Sequence, residues 1–512
     1  MASLSLHETL KCFGLVLLST LFLPASLIVT LVSIIYTQAR PIPRPQLEPK
    51  ATTTTTGSDD ARPNPQRTIL VTGVSMAKGL TLARAFYLSG HRVIGADTET
   101  HPFLIPCPGR FSASLSSFHR LPNPSSSPSS YTQKLISIIR AERVDLWVSC
   151  SGVASAAQDA HAKEAIEAET SCPCVQLDSR TTAALHEKGA FARACKERGL
   201  PTPETHEVQS SDEIMQILYP STPADEKPAP TTAKFILKPT GVNDAHRANM
   251  MLLPLSSAAA TRAHLSALPL CPARPWILQR YVPGGREYCT HALVVRGEVV
   301  CFAACASAEL LMHYEALAAG SALGREMRRL TARFAAGMTG HVSFDFMVDA
   351  DTGAVYAIEC NPRAHTAVVV FAQPGVEMEG MVRAYLEVID GGRGARGGIE
   401  GESKMGRVGR DVVMPPPGAR ARYWIGHDLV SLLIQPTVRF VAGRLRFNQL
   451  LTMYVQFLTH ILLWKEGTFE AWDPLPALVL YHVYWPSMIV LAWWQGRRWS
   501  RVNVSTTKMF LS

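Results

Sequence analysis

The chain has 512 residues and a formal net charge of +8, with 47% hydrophobic and 18% charged residues. That length exceeds one ordinary core, and that composition excludes a largely disordered chain. Arg and Lys are scattered and no nucleic-acid signature accompanies them, so no nucleic acid is expected as a partner. The 11 cysteines lack paired CxxC spacing, which excludes a zinc framework, and their odd number disfavours a secreted disulfide scaffold.

Behind a short tail (1–11), the run from Cys12 to Tyr36 contains no charge. At about 1.5 Å per residue it covers a hydrocarbon core of roughly 30 Å. It outruns a signal-peptide apolar region and no Ala-x-Ala site closes it, so residues 12–36 are predicted to be an uncleaved, single-pass transmembrane helix in contact with membrane lipid. Among Lys and Arg, only Lys11 precedes the run, whereas Arg40, Arg44 and Lys50 follow it, which places the bulk of the chain in the cytoplasm. Residues 37–66 are rich in Pro and include Thr52 to Thr56, the composition of a flexible tether. Anchor and folded body are therefore expected to be mechanically separate.

Folded structure is predicted from Arg67. The segments RTILVTG, VSMAKGLTLARAFYLSG and HRVIGAD read as strand, helix and strand, and YTQKLISIIRAERV before DLWVSCSG continues the alternation. This predicts an α/β, Rossmann-like domain over 67–180. Its first turn, from Gly73 to Gly79, lacks the G-x-G-x-x-G spacing that a nicotinamide cofactor needs, and no Walker A sequence occurs. Over 181–390 the pattern becomes α+β, with hairpin-like strands at KFILKP, WILQRYV, YCTHALVVRGEVVCFA, HVSFDFMVDA and AVYAIECNP. Residues 391–411 are a Gly/Arg-rich linker, and 412–512 form an apolar C-terminal module. There Leu475 to Trp494 is nearly long enough to span but is interrupted by Pro476, His482 and Pro486, which suits an interfacial or packing segment.

The chemistry is concentrated on two of these strands. Asp345 precedes Glu359 and Asn361 across the turn Asp349 to Gly353, so adjacent strands bring the three together. Glu359 and Asn361, two apart on one strand, share a face. Hard oxygen ligands of this kind suit Mg²⁺, which takes one or two carboxylates plus nucleotide phosphates. Lys188, and Lys238 at the end of an apolar strand, can neutralise phosphate oxygens.

These pieces in this order resemble the ATP-grasp superfamily over roughly Arg67 to Asp390. The resemblance implies a pre-ATP-grasp domain followed by a two-subdomain ATP-grasp fold, with ATP and Mg²⁺, or Mn²⁺ in its place, held between the subdomains. It implies that Lys188 and Lys238 are the nucleotide lysines and that Gln279, Arg280, Tyr281 and Val282 form the adenine hinge, contacted through the backbone of Arg280 and Val282. It further implies that Glu287 takes the ribose hydroxyls, that Asp345, Glu359 and Asn361 hold the metal, and that Arg363 lies near the transferring phosphate, catalytic together with Lys238. The chain departs from the family after Lys238, where Pro-Thr-Gly-Val-Asn-Asp replaces a glycine-rich run; Asp244 and Arg247 would substitute there.

The phrases GREYCTHALVVRGEVVC, GHVSFDFMVDADTGAVYAIECNPRAHTAVVVF, YWIGHDLV and DPLPALVLYHVYW, with the N-terminal anchor, look like the ATP-grasp enzymes of mycosporine biosynthesis. That resemblance implies a cyclohexenone-type acceptor, 4-deoxygadusol, joined to glycine, and places Ser307, Tyr314, Glu315 and His365 at the substrate end. An ATP-grasp ligase joining another carboxylate to an amino acid, and an ATP-binding membrane protein without catalysis, are the alternative expectations.

Overall fold

The computed structural model describes residues 5–47, 65–99, 101, 103–150, 152–220, 233–239, 251–271, 276–307, 312–394 and 411–511. Asp244, Arg247 and most of the Gly/Arg-rich linker lie outside them.

Strands β1 (Thr68–Thr72), β2 (Arg92–Thr98), β3 (Ser117–Leu121), β4 (Leu146–Val148) and β5 (Cys174–Val175) form one sheet. Its order is β3-β2-β1-β4-β5, and every pairing is parallel. Such a sheet is covered on both faces, which is why its strands read as unbroken apolar runs. Ile69 and Val71 pack into one core cluster and Leu70, between them, into another. The helix Ala77–Leu88 starts hard against β1: a Cβ on Gly79 would sit 2.3 Å from the Gly73 carbonyl oxygen.

Two antiparallel sheets follow. The first contains β6 (Thr205–Val208), β7 (Phe235–Pro239), β8 (Leu252–Leu253) and β9 (Trp276–Arg280), in the order β6-β9-β7-β8. The second contains β10 (Arg286–Val295), β11 (Glu298–Ala306), β13 (Gly340–His341), β14 (Ser343–Val348) and β15 (Val355–Asn361), in the order β11-β10-β14-β15 with β13 beside β10. Between β11 and β13 lies the short β12 (His313–Tyr314). An α/β unit followed by two α+β lobes is thus the architecture.

The C-terminal residues are not an appended module. Strand β16 (Arg422–Tyr423) pairs with β12 and with β17 (Lys465–Glu466), and the Phe302 N–H donates to the Val413 carbonyl at 2.9 Å. A buried clamp ties the same region to the parallel-sheet domain. Asp473, 1% exposed, accepts from Arg84 Nε at 2.8 Å, Ser112 Oγ at 2.5 Å and the Ala113 N–H at 2.8 Å, while the other Arg84 nitrogens reach the Thr468 and Asp473 carbonyls. All three guanidinium nitrogens and both carboxylate oxygens thereby have partners, the condition for a buried charge to persist.

The first helix runs Leu6–Ala39, 34 residues, longer at both ends than its apolar run. It and Leu475–Trp494 are the two helices, among the described residues, long and apolar enough to cross a membrane. The second takes π-helical turns over Leu480–Tyr484, just before Pro486, whose missing N–H breaks the ordinary ladder. The two helices pack together. Ser19 Oγ donates to the Tyr481 carbonyl at 2.8 Å, Ser26 Oγ meets His482 Nε2 at 2.8 Å, and Phe13 stands edge-on to Trp493 with centroids 5.2 Å apart. Beyond the helix, Arg44 Nε donates to the Tyr87 carbonyl at 3.0 Å and its guanidinium lies 3.6 Å from that ring. The expected mechanical separation of anchor and enzyme is therefore corrected: small hydroxyls within the apolar run, and an arginine after it, fasten it to the folded body.

Replacing Asp473 by Ala leaves Arg84 buried and unpaired, a change of about 3–5 kcal/mol. A fall of several degrees in the main thermal transition is expected. The exposed Arg140–Glu169 pair, 3.0 Å long, serves as control, since Glu169→Ala is expected to cost under about 1 kcal/mol.

Candidate active site

Alternation along β15 would put Glu359 on the same face as Val355 and Ala357, which are buried in the core. A β-bulge prevents this. Asp345 pairs with Glu359 and Phe346 with Ala357, leaving Ile358 unpaired. The extra residue reverses the phase, so that Val355, Ala357 and Cys360 enter the core while Glu359 and Asn361 turn to the opposite face with Asp345. Asn361, 7% exposed, donates from Nδ2 to Asp345 Oδ2 at 3.1 Å. The hairpin that sets this register closes through Asp349, whose Oδ1 accepts from the N–H groups of Asp351 and Thr352 at 2.9 and 2.8 Å, and through Gly353 at φ 69°.

Glu287 joins the same face from β10, two residues before Cys289, which pairs with Asp345. Three carboxyl groups therefore converge, with Arg363 as the cation acting on Asp345. Asp345 is pushed well above the usual carboxylate range, first by burial, then by Glu359, then by Glu287; Arg363 and the Asn361 amide oppose the shift. A set of hard oxygen donors that repel one another in a half-buried site fits a divalent cation such as Mg²⁺.

Facing them across a cleft are Lys188, Lys238 and Gln279, with Glu359 on the near wall. Lys188 opens the helix Lys188–Glu197, capped by Glu187, whose carboxylate accepts from the N–H groups of Gly189 and Ala190 at 2.7 and 2.6 Å. Lys238 Nζ on β7 donates to Gln279 Oε1 at 2.9 Å, and Gln279 Nε2 donates to Thr205 Oγ1 at 3.1 Å. At the end of β9 the N–H groups of Arg280 and Tyr281 are taken by the Glu204 and Lys234 carbonyls at 2.8 and 2.7 Å. The Val282 N–H beyond them has no partner among the described residues, so an adenine edge has a donor there. The cleft encloses about 30 Å³, room for a water, so a nucleotide enters only if the two antiparallel sheets part.

Of the four residues expected at the substrate end, Tyr314 and His365 lie against one another. Tyr314 is fully buried, edge-on to Trp424 and to His365 with centroids 5.9 and 6.0 Å away. His365 caps the turn Thr366–Phe371, accepting from the Ala367 N–H at 3.1 Å, and burial, then Arg363, lower its pKa to about 3. The imidazole is thereby neutral, with Nδ1 serving as the acceptor. Glu315 is exposed, and Ser307 follows β11, its N–H held by the Glu287 carbonyl at 2.9 Å. Tyr314 and His365 sit in the core, the one held by aromatic packing and the other by its cap.

Two residues absent from the sequence reading belong to the neighbourhood. His186, two before Lys188, is influenced by Arg363, Glu359 and Lys188, its pKa lowered by burial first. Lys78, in the first turn of the helix Ala77–Leu88, donates from Nζ to the Ala364 carbonyl at 2.9 Å; burial, then Arg363, push its pKa down to about 7. A lysine among Met76, Ala77 and Leu80 was the only signal for it. A roomier cavity of about 520 Å³ lies at the carboxyl ends of the parallel strands, lined by Gly73, Ser75, Asp97, Asn123, Ser155 and Arg497 among others. Among the described residues it offers one arginine and no lysine, a poor match for a triphosphate.

A second donor cluster, His313, Asp428 and His460, has a metal-like composition. His313 Nε2 and His460 Nδ1 lie 2.8 and 2.6 Å from the two Asp428 oxygens, hydrogen-bond distances rather than the roughly 3.3 Å between neighbouring ligands of one tetrahedral ion. It is a buried clamp between β12 and the C-terminal helices; burial pushes the Asp428 pKa up, and hydrogen bonds with the two imidazoles outweigh it and leave the pKa lowered.

No family model and no curated protein matches the chain. Among solved structures it is similar to the biotin carboxylase domain of the Hydrogenobacter thermophilus 2-oxoglutarate carboxylase, described as a complex with MgADP, ADP and bicarbonate, at 13% identity and TM-score 0.45, over 64% of this chain and 70% of that one. It is similar to N5-carboxyaminoimidazole synthetase from Staphylococcus aureus at 12% identity and TM-score 0.44, over 62% and 77%. The corresponding ribonucleotide synthetase from Thermotoga maritima aligns at 11% identity and TM-score 0.43, over 63% and 76%. At TM-scores below 0.5, the weight of assignment stays with the side chains.

Asp345→Asn keeps the Asn361 contact but removes one of three repelling charges. Because the carboxyl is held above its unfolded pKa, ionising it lowers stability as pH rises from the unfolded value toward the folded one, and the loss persists above it. The variant is therefore expected to melt higher than the native protein at pH 7 without Mg²⁺ and to lose the stabilisation that Mg²⁺ plus nucleotide gives the native protein. Melting curves in both conditions check this; a variant that melts lower without Mg²⁺ contradicts the like-charge account.

Proposed function

We propose that the protein is an ATP-grasp ligase that uses ATP and Mg²⁺ to activate an enol or carboxylate oxygen for attack by an amine. The observation that carries this reading is the bulge that turns Glu359 to the face of Asp345 and Asn361, opposite Lys188, Lys238 and Gln279 across one cleft. A non-catalytic nucleotide binder would have no use for three converging carboxyls that destabilise the protein without their cation.

In this reading Asp345, Glu359 and Asn361 hold the metal, and the Val282 N–H with the Arg280 carbonyl take the adenine. Glu287 takes the ribose. Bound Mg²⁺-ATP supplies the phosphoryl group and the cation that spreads its charge. Lys188, Lys238 and Arg363 hold the phosphate oxygens, adding fixed positive charge where negative charge develops. Excluding water is the task of the two sheets closing on the nucleotide, which the narrow cleft already favours. Positioning, rather than proton transfer, is what these side chains contribute.

The finer reading is mycosporine-glycine synthase, with 4-deoxygadusol as acceptor and glycine as amine. The sequence phrases around Glu287, Asp345 and Glu359 support it, as does the chemistry. The enolised 1,3-diketone is a vinylogous acid whose hydroxyl leaves poorly. Transfer of the γ-phosphoryl to that oxygen yields ADP and a good leaving group; the glycine nitrogen then bonds to the ring carbon, loses a proton, and phosphate departs. The helix Leu6–Ala39 supports a membrane-anchored enzyme with its catalytic part in the cytoplasm.

Purified protein given ATP, Mg²⁺, glycine and 4-deoxygadusol is expected to release ADP and phosphate together with an ultraviolet-absorbing product. ADP release with a different acceptor or amine only would leave the ligase and remove the mycosporine assignment. Glu359→Gln is expected to retain the fold and lose about 10²-fold or more in turnover; unchanged turnover would remove the metal site.

A further inference from the structure

The C-terminal region projects a helical hairpin made of Gln435–Val441 and Phe447–Leu463. Its longer helix is amphipathic in the inverted sense. Phe447, Leu451, Val455, Leu458 and Leu462, at helical spacing, form an exposed stripe, from 51% to 70% exposed, which the protein leaves uncovered. The flank beside the stripe carries only uncharged polar groups, among them Asn448, Thr452 and Gln456. Val438 and Val441 extend the apolar surface onto the shorter helix, 62% and 81% exposed.

Charge is confined to one end. Arg439, Arg444 and Arg446 are exposed at and beside the turn, and no Asp or Glu occurs between Asp428 and Glu466. The base of the hairpin is rigidly held: His460 is clamped to Asp428 at 2.6 Å and stacks on Trp464 with centroids 4.1 Å apart. The hairpin is thus a fixed projection with an apolar side and a cationic tip.

We propose that this hairpin is a membrane-inserted foot, lying in the headgroup and upper acyl region of an anionic bilayer, in addition to the anchor helix. The proposal rests on the reading of Leu6–Ala39 as a membrane anchor, which brings the C-terminal region to the same bilayer through its packing on Leu475–Trp494. Length decides between spanning and lying flat. Seventeen residues reach about 26 Å, short of a hydrocarbon core of roughly 30 Å, so the helix does not cross. An exposed apolar stripe beside an arginine tip is the pattern of an interfacial helix, with guanidinium groups at lipid phosphates. A protein groove would cover the stripe but leave the acid-free arginine tip unexplained.

The full chain reconstituted in vesicles, with dansylalanine introduced at Leu458 in one preparation and at Leu21 in another, tests it. Lipids carrying a shallow quencher are expected to reduce the Leu458 emission by about twofold or more, with iodide in the buffer having little effect. The reduction is expected to be larger in phosphatidylserine-containing vesicles than in neutral ones, and the combined Arg439→Gln, Arg444→Gln, Arg446→Gln variant is expected to lose that difference. Iodide quenching at Leu458 with no lipid quenching, while Leu21 is quenched by lipid, overturns the foot and leaves the anchor. Lipid quenching at neither position overturns the anchor reading itself. Shielding of Leu458 that follows protein concentration in detergent overturns the foot in favour of a second copy of the chain.

Discussion

Burial of Asp345 beside the carboxyls of Glu359 and Glu287 is the constraint on which the candidate site depends. Carboxyls that share a half-buried face need either protons or a cation, and burial alone pushes Asp345 toward the proton. The fold accepts that cost through a bulge, a tight Asp349 to Gly353 turn and a single amide contact from Asn361. A local destabilisation held by well-packed surroundings is the usual mark of a site shaped for a ligand. The opposing wall has the complementary sign, with Lys188 fixed by a helix cap and Lys238 by Gln279.

The same body is fastened to its C-terminal apolar helices by buried polar clamps rather than by linkers. Arg84–Asp473 joins the parallel sheet to the C-terminal region, and His313–Asp428–His460 joins β12 to the projecting hairpin. Buried ion pairs of this kind contribute little net stability against an apolar replacement, but breaking one half is costly, so they fix geometry. A rigid link between apolar helices and the catalytic lobes would hold the cleft at a constant height and orientation above the bilayer.

Much of this was legible in the sequence, and the reasons for success and failure are specific. The parallel sheet announced itself because β1, β2 and β4 are buried on both faces, so their residues are apolar without alternation. Asp345, Glu359 and Asn361 were legible as oxygen donors at strand spacing. The bulge was not: Val-Tyr-Ala-Ile-Glu-Cys gives no local sign of a phase reversal, which arises from pairing with β14. Tyr314 and His365 were less legible, because a polar side chain near a functional segment reads the same whether it meets a substrate or a cap and an aromatic cluster. Separation of anchor from enzyme misled for a different reason. The Ser19, Ser26 and Arg44 contacts join residues hundreds of positions apart or across a Pro-rich stretch, and no periodicity records them.

The most direct test of the central claim is a crystal structure of the protein with ADP and Mn²⁺, read by anomalous scattering at the manganese edge. The account requires a manganese peak bound by oxygen atoms of Asp345, Glu359 and Asn361, with the adenine edge at the Val282 N–H. Nucleotide in the cavity at the carboxyl ends of the parallel strands, or manganese away from Asp345, would contradict it.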